Sequence, residues 1–220
     1  MIFGNYKHSA NLVDAKEFSF VRQPVFLLIL MAFAMPMAFS VWTALLNNFV
    51  IEMAGFTGVE IGWLHSIREI PGLLAVGVIF VLLFVREQLL ALLSLILLGI
   101  ASGLTAFFPQ FGGIIILTFL ASIGFHYFEA ANQSLQLQWI DKKVAPQTLG
   151  WISAVGSFSS LVAYGTLVVT WKAFNLSFGF VYVTSGAITV LIAVLCLLFY
   201  PRFETPRVQI NKVIIRKKYW

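Results

Sequence analysis

Charged side chains are scarce in this chain of 220 residues, at 10%, whereas hydrophobic side chains reach 60%. Soluble domains carry about a quarter charged residues. A water-soluble fold of this size would leave much of that apolar surface exposed to water. The shortage of charge therefore excludes an ordinary soluble domain and indicates that a lipid bilayer surrounds most of the chain.

Cysteine and the short motifs of many enzymes are also missing. The one cysteine, Cys196, lies inside an apolar run, so an intrachain disulfide and a paired-cysteine metal site are both excluded. The sequence has no Gly-rich phosphate loop, no HExxH and no GxSxG. We therefore predict no cofactor, no metal and no enzymatic activity.

Long apolar runs are what the sequence does have. A membrane-spanning helix needs about 20 mostly apolar residues. Six runs meet this requirement, at residues 24–50, 60–84, 88–108, 112–137, 148–171 and 176–200. Short breaks between them are typical of antiparallel neighbours in a helical bundle. The sequence predicts an all-α membrane protein with six transmembrane helices, a tail at 1–23 and a basic tail or linker at 201–220.

Basic residues predict the orientation of these spans. Twelve lie in the tails and in the loops on the same side: Lys7, Lys16, Arg22, Arg86, Lys142, Lys143, Arg202, Arg207, Lys212, Arg216, Lys217 and Lys218. The opposite side has Lys172 alone. Because loops rich in Lys and Arg stay in the cytoplasm, both termini are predicted to be cytoplasmic. The net charge of +5 therefore indicates membrane orientation rather than a nucleic-acid partner.

The second span carries ionisable side chains that a lipid-facing helix would not have. By the helical period, His65, Arg68, Glu69 and Gly72 share one narrow arc. Arg68 is about 13 Å from the outer boundary at 1.5 Å per residue, near the middle of the bilayer. His65 and Glu69, four residues apart, are expected to face one another, and Pro71 to bend the helix. Two interpretations remain open: an ion pair that locks helices together, or substrate and proton binding.

The fourth span carries a second polar arc, with His126 and Glu129 one turn apart. Both groups can exchange protons, and Asn132, Gln133 and Gln136 add neutral hydrogen-bonding groups. The alternative is a polar face that packs on other helices. Glu129 is about 24 Å from the outer boundary, so Glu69 and Glu129 are expected to lie too far apart for one dimetal site.

Small and hydroxylated residues mark stripes on two further spans. They are Pro36, Ser40, Thr43 and Asn47 on the first span, and Gly150, Ser153, Ser157, Ser160 and Tyr164 on the fifth. Such stripes are typical of packing seams and can also line a cavity. Gly99 and Gly103 on the third span form a GxxxG pair, which predicts a helix contact. Polarity is thus concentrated on spans one, two, four and five, and spans three and six are expected to face lipid.

This pattern resembles one half of a major facilitator superfamily transporter. Residues 61–72 resemble the second helix of a little-characterised bacterial branch of that family, and residues 125–135 resemble its fourth helix. The resemblance implies that helices one, two, four and five border a central cavity and that the chain lies in the bacterial inner membrane. The loop before the third span matches the family signature only at Arg86, which is the candidate gating residue.

The sequence leads to two main functional hypotheses. The first is a secondary active transporter, or the N-terminal half of one, that moves a small solute by alternating access and uses His65, Arg68, Glu69, His126 and Glu129. The second is a membrane protein that does not transport and serves as a truncated product or scaffold. Either one implies a partner, which is a second six-helix half or another copy of the chain.

Thiol labelling tests the predicted orientation. In a Cys196→Ser background, Lys7→Cys is expected to react with a membrane-impermeant reagent only from the cytoplasmic side, because Lys7 lies in the basic N-terminal tail. Lys172→Cys is the matched control and is expected to react only from the opposite side. Reaction of both cysteines from the same side of sealed vesicles would show that the assignment is wrong.

Overall fold

A computed structural model describes residues 20–203, so the predictions for most of both tails lie outside the described residues. Its α-helices are α1 (Pro24–Ala54), α2 (Gly58–Leu73), α3 (Val78–Leu82), α4 (Glu87–Leu104), α5 (Phe111–Trp139), α6 (Ala145–Ala173) and α7 (Phe178–Phe199). Short 3-10 helices occur at Phe20–Arg22, Leu74–Gly77 and Thr105–Phe107. The second predicted span is therefore divided into α2, a 3-10 turn and α3.

Within this part of the chain, six helical segments are long and apolar enough to cross a membrane. They are α1, the Gly58–Leu82 segment, the Glu87–Phe107 segment, α5, α6 and α7. The prediction of an all-α protein with six transmembrane helices is confirmed. The protein is a multi-pass membrane protein.

Local sequence explains where the first two spans meet. Helix α1 continues to Ala54, and Gly55 then adopts a left-handed conformation with φ 66°. Glycine has no Cβ and reaches this conformation without steric cost. Helix α2 begins after Thr57, whose hydroxyl accepts a hydrogen bond from the Val59 N–H, while Glu60 accepts one from the Thr57 N–H at 2.9 Å. This reciprocal cap places the start of α2 two residues before the predicted boundary.

Helix α1 is the centre of the bundle. It packs against α4, α5, α6 and α7 and contributes to both clusters of buried apolar side chains. Helix α2 packs mainly on α5, and α6 packs mainly on α1. As a result, the second and fifth spans are the least buried of the six.

The third and sixth spans form the back of the bundle through direct backbone contact. A Cβ added to Gly186 would lie 2.3 Å from the Gly99 carbonyl oxygen and 3.1 Å from the Gly103 Cα. The helix contact predicted from Gly99 and Gly103 is confirmed. Helix α4 is the most buried span after α1, so the expectation that the third span faces lipid is wrong. Its small residues let α7 and α5 approach closely and cover it.

The two halves of the bundle share two of their main packing contacts. Spans one to three correspond to spans four to six: α1 packs on α6 and α7, while α5 packs on α2 and α4. The third span also packs on the sixth. Because each triplet crosses the bilayer an odd number of times, the two triplets have opposite orientations in the membrane.

Replacing Gly186 with alanine tests the glycine contact. Gly186→Ala is expected to lower the free energy of unfolding by about 1–3 kcal/mol, because the new methyl group overlaps the α4 backbone. Gly165→Ala on α6 is the control, since no atom lies within 4 Å of its added Cβ. Unfolding in mixed micelles measures both variants. Equal stability of the two would contradict the contact.

Candidate functional site

A cleft of about 130 Å³ lies between α1, α2 and α5. These helices belong to three of the four spans on which the polar side chains are concentrated. Arg68 is ten residues into α2, which corresponds to about 15 Å along the helix axis, or half of a bilayer core of about 30 Å. The lining residues are Phe39, Trp42, Thr43, Arg68, Glu69, Ser122, Phe125 and His126.

Aromatic rings form one wall of the cleft. Phe39 and Phe125 stack with their centroids 4.1 Å apart and their planes 8° from parallel. Trp42 is fully buried beside them, and its Nε1 donates a hydrogen bond to the Thr105 hydroxyl at 3.2 Å. Thr105 in turn donates to the Ala101 carbonyl at 3.0 Å. Both ends of this chain of hydrogen bonds are satisfied, so the indole is fixed in place.

Arg68 and Glu69 form an ion pair with each other. Arg68 Nε and Nη2 donate to the same Glu69 oxygen, Oε1, at 3.0 and 2.9 Å. The two residues are adjacent in sequence, and the long guanidinium reaches across the helix surface to the carboxylate. The pair lies within one helix, so it does not lock two helices together. Both groups remain accessible, Arg68 at 28% and Glu69 at 59% of the side chain.

The sequence predicted Glu69 as the partner of His65, but His65 pairs with Asn47 instead. Its Nε2 lies 3.1 Å from the Asn47 Oδ1 on α1. The Glu69 carboxylate is bound to Arg68 instead. Asn47, predicted as a packing or cavity residue, thus connects the first and second spans.

The α2 backbone is attached to α5 at two points close to Pro71. Proline has no N–H, so the Ile67 carbonyl loses its helical donor, and the adjacent Arg68 carbonyl accepts a hydrogen bond from the Ser122 hydroxyl. One turn further on, Gly72 leaves room for His126: an added Cβ would lie 2.9 Å from the imidazole Cε1 and Nε2. Helix α2 ends two residues after Pro71 and is followed by the 3-10 turn at Leu74–Gly77.

The remaining polar residues of α5 lie further along the helix than His126, and they differ in burial. Glu129 is half-buried one turn beyond His126 and lies outside the cleft lining. Asn132 is buried, and within residues 20–203 its Oδ1 has no hydrogen-bond partner. Gln133 is exposed and Gln136 half-buried. The structure thus brings His126 together with the α2 ion pair, and it leaves Glu129 and the three amides further along the helix.

The predicted stripe on α6 is mostly open rather than packed. Ser153, Ser157 and Tyr164 are exposed, and Ser160 accepts a hydrogen bond from Ser40 on α1 at 3.1 Å. The packing seam lies beside the stripe, at residues the sequence analysis had not selected. Ser159 donates to the Phe33 carbonyl at 2.6 Å, and Gly156 lies against the α1 backbone at Ala32.

Arg86, the candidate gating residue, is exposed, and no described residue bonds its side chain. The next two residues make the contacts instead. Glu87 accepts hydrogen bonds from Ser134 at 3.0 Å and Gln138 at 2.9 Å. Gln88 donates to the Pro201 carbonyl and accepts from the Phe203 N–H. These bonds join α4 to the end of α5 and to the residues that follow α7.

No protein-family model matches this chain, and no curated protein matches it either. Among residues 20–203, no three His, Cys, Asp or Glu side chains are grouped as metal ligands. The site is therefore interpreted from its own geometry.

Substituting Gly72 tests the placement of His126. The chain has three histidines, so imidazole NMR resonances are few and can be assigned by substitution. Gly72→Ala is expected to shift the His126 resonance and to lower the free energy of unfolding by about 1 kcal/mol, because the ring must move. Gly62→Ala on the same helix, with no atom near its added Cβ, is expected to leave the His126 resonance unchanged and not to lower the free energy of unfolding, because alanine is the better helix former. An unmoved His126 resonance in Gly72→Ala would show that the ring lies elsewhere.

Proposed function

We propose that the protein is a transporter of a small solute in the bacterial inner membrane. It works by alternating access, with the cleft between α1, α2 and α5 as the solute site. The observation that carries this proposal is the accessible Arg68–Glu69 ion pair halfway along the second span. Charged groups at this depth face water-filled cavities or other protein groups, because contact with hydrocarbon is costly.

The packing of the bundle supports a transporter of the major facilitator type. In that family each six-helix half is built from two inverted three-helix repeats, and substrates bind near the middle of the bilayer. The two packing contacts that spans one to three share with spans four to six support such an arrangement. The residues that resemble the family at 61–72 and 125–135 lie on the two helices that hold the ion pair and His126.

The open side of the cleft requires a facing surface. Thr43, Glu69, Ser153 and Ser157 are exposed on α1, α2 and α6, on the spans that border the cavity in the family. In a working transporter this surface faces a second six-helix half, supplied by another copy or by a further segment. His126 and Glu129 are the candidates for proton coupling, and uptake that survives collapse of the proton gradient would remove coupling from the proposal.

The alternative is a scaffold that does not transport. The observation that favours it is that the second and fifth spans are the least buried of the six, as a surface that binds another protein would be. Crosslinking in native membranes through a cysteine at Ser157 distinguishes the two. A transporter assembled from two copies gives a homodimer, whereas a scaffold gives an adduct with a different protein.

Thiol accessibility tests alternating access. In the Cys196→Ser background, Thr43→Cys is expected to react with a membrane-impermeant reagent from either side of the membrane, because a transporter exposes its site to each side in turn. Leu191→Cys is the control: Leu191 is 58% exposed but lies on the apolar face of α7. The Thr43 cysteine is expected to react at least about tenfold faster, since thiolates form in water and not in hydrocarbon.

Reaction of Thr43→Cys from one side alone, under all conditions tested, would contradict alternating access. Reaction at the slow rate of the Leu191 control would show that the cleft faces lipid.

A further inference from the structure

We infer that the cleft binds a small zwitterion of amino-acid size with an apolar side chain, preferably aromatic. The carboxylate of the ligand pairs with Arg68, its ammonium group pairs with Glu69, and its side chain packs on Phe39 and Phe125. This inference deepens the proposed function, because it names the solute class of the same site.

The ion pair retains unused hydrogen-bonding capacity. Both bonds from Arg68 end on Glu69 Oε1. Within residues 20–203, Glu69 Oε2 therefore has no partner, and three of the five guanidinium N–H groups are also unused. Because the cleft is lined by both side chains, a ligand can reach a donor and an acceptor within one small volume.

Charge balance selects the ligand. An anion would draw Arg68 away and leave the Glu69 carboxylate without its counter-charge halfway along the span. A cation would do the same to Arg68. An uncompensated charge in such a place is strongly unfavourable. A zwitterion supplies both charges, so the site stays neutral before and after binding.

The aromatic wall of the cleft determines which kind of side chain the ligand carries. Phe39, Phe125 and Trp42 offer an apolar surface beside the ion pair, and the Trp42 indole N–H is already satisfied by Thr105. Aromatic rings pack well against such surfaces in offset or edge-to-face arrangements. A volume of about 130 Å³ is small compared with sites for drug-sized ligands, which begin at about 300 Å³.

Four ligands that differ in one feature each test this class on the full chain in nanodiscs. L-Phenylalanine carries both charges and a ring. Phenethylamine lacks the carboxylate, 3-phenylpropionate lacks the ammonium group, and L-alanine lacks the ring. L-Phenylalanine is expected to raise the melting temperature by mass action and to bind at least about tenfold more tightly than each of the others.

Two charge-neutral variants test the roles of the pair. Arg68→Gln is expected to bind phenethylamine more tightly than L-phenylalanine, because Glu69 is left as a free anion. Glu69→Gln is expected to bind 3-phenylpropionate more tightly than L-phenylalanine. If either variant fails to fold, Phe125→Leu retains the ion pair and is expected to weaken L-phenylalanine binding without weakening that of L-alanine. Gln133→Ala, outside the cleft lining, is the control and is expected to bind as the native chain does.

The inference is overturned if a singly charged analogue binds the native chain as tightly as L-phenylalanine, or if none of the four binds. Tight binding of 3-phenylpropionate would identify an anion site that takes up a proton instead. The transport proposal can fail separately. If L-phenylalanine binds but Thr43→Cys is labelled from one side alone, the cleft is a zwitterion site in a protein that does not transport. Labelling from both sides without L-phenylalanine binding leaves a transporter of another solute class.

Discussion

Hydrogen bonds from side-chain hydroxyls to backbone carbonyls join neighbouring helices of this bundle close to two prolines. Pro36 and Pro71 each remove a helical N–H, which in hydrocarbon has no water to replace it. In both helices the carbonyl three residues before the proline accepts a serine hydroxyl from a neighbouring helix. Ser159 donates to Phe33 and Ser122 donates to Arg68. These two hydroxyl bonds join α6 to α1 and α5 to α2, each beside the carbonyl that the proline leaves without a helical donor (Ala32 and Ile67), and the second bond joins two helices that line the cleft.

The number of spans could be predicted from the sequence because hydropathy and helix length are local properties. The polar arc of α2 was also predictable, since the helical period determines which residues share a face. Which partner each polar group chooses could not be predicted. A helical projection gives directions but not side-chain reach, so it favoured His65 with Glu69 and did not indicate the Arg68–Glu69 pair. The Asn47 partner of His65 lies on another helix, and only the tertiary packing places it there.

The aromatic side of the cleft was missed for a related reason. Phe39, Trp42 and Phe125 are apolar residues in apolar helices, where a ring that lines a cleft and a ring that faces lipid have the same sequence pattern. Their grouping depends on the crossing of α1 and α5. Arg86 shows the limit from the other side: its charge in a loop marks it as a gating candidate, and the sequence does not indicate that the adjacent Glu87 and Gln88 make the contacts with α5 and with the residues after α7.

The contact between Gly99 and Gly186 has a mechanical consequence. Where two helices meet backbone to backbone, no layer of side chains lies between them that can change rotamer and let one slide past the other. Helices α4 and α7 therefore form a rigid unit at the back of the bundle. Any change of shape must take place on the opposite side, where α2 and α6 each rest on a single main neighbour and are held to it by a few hydroxyl bonds.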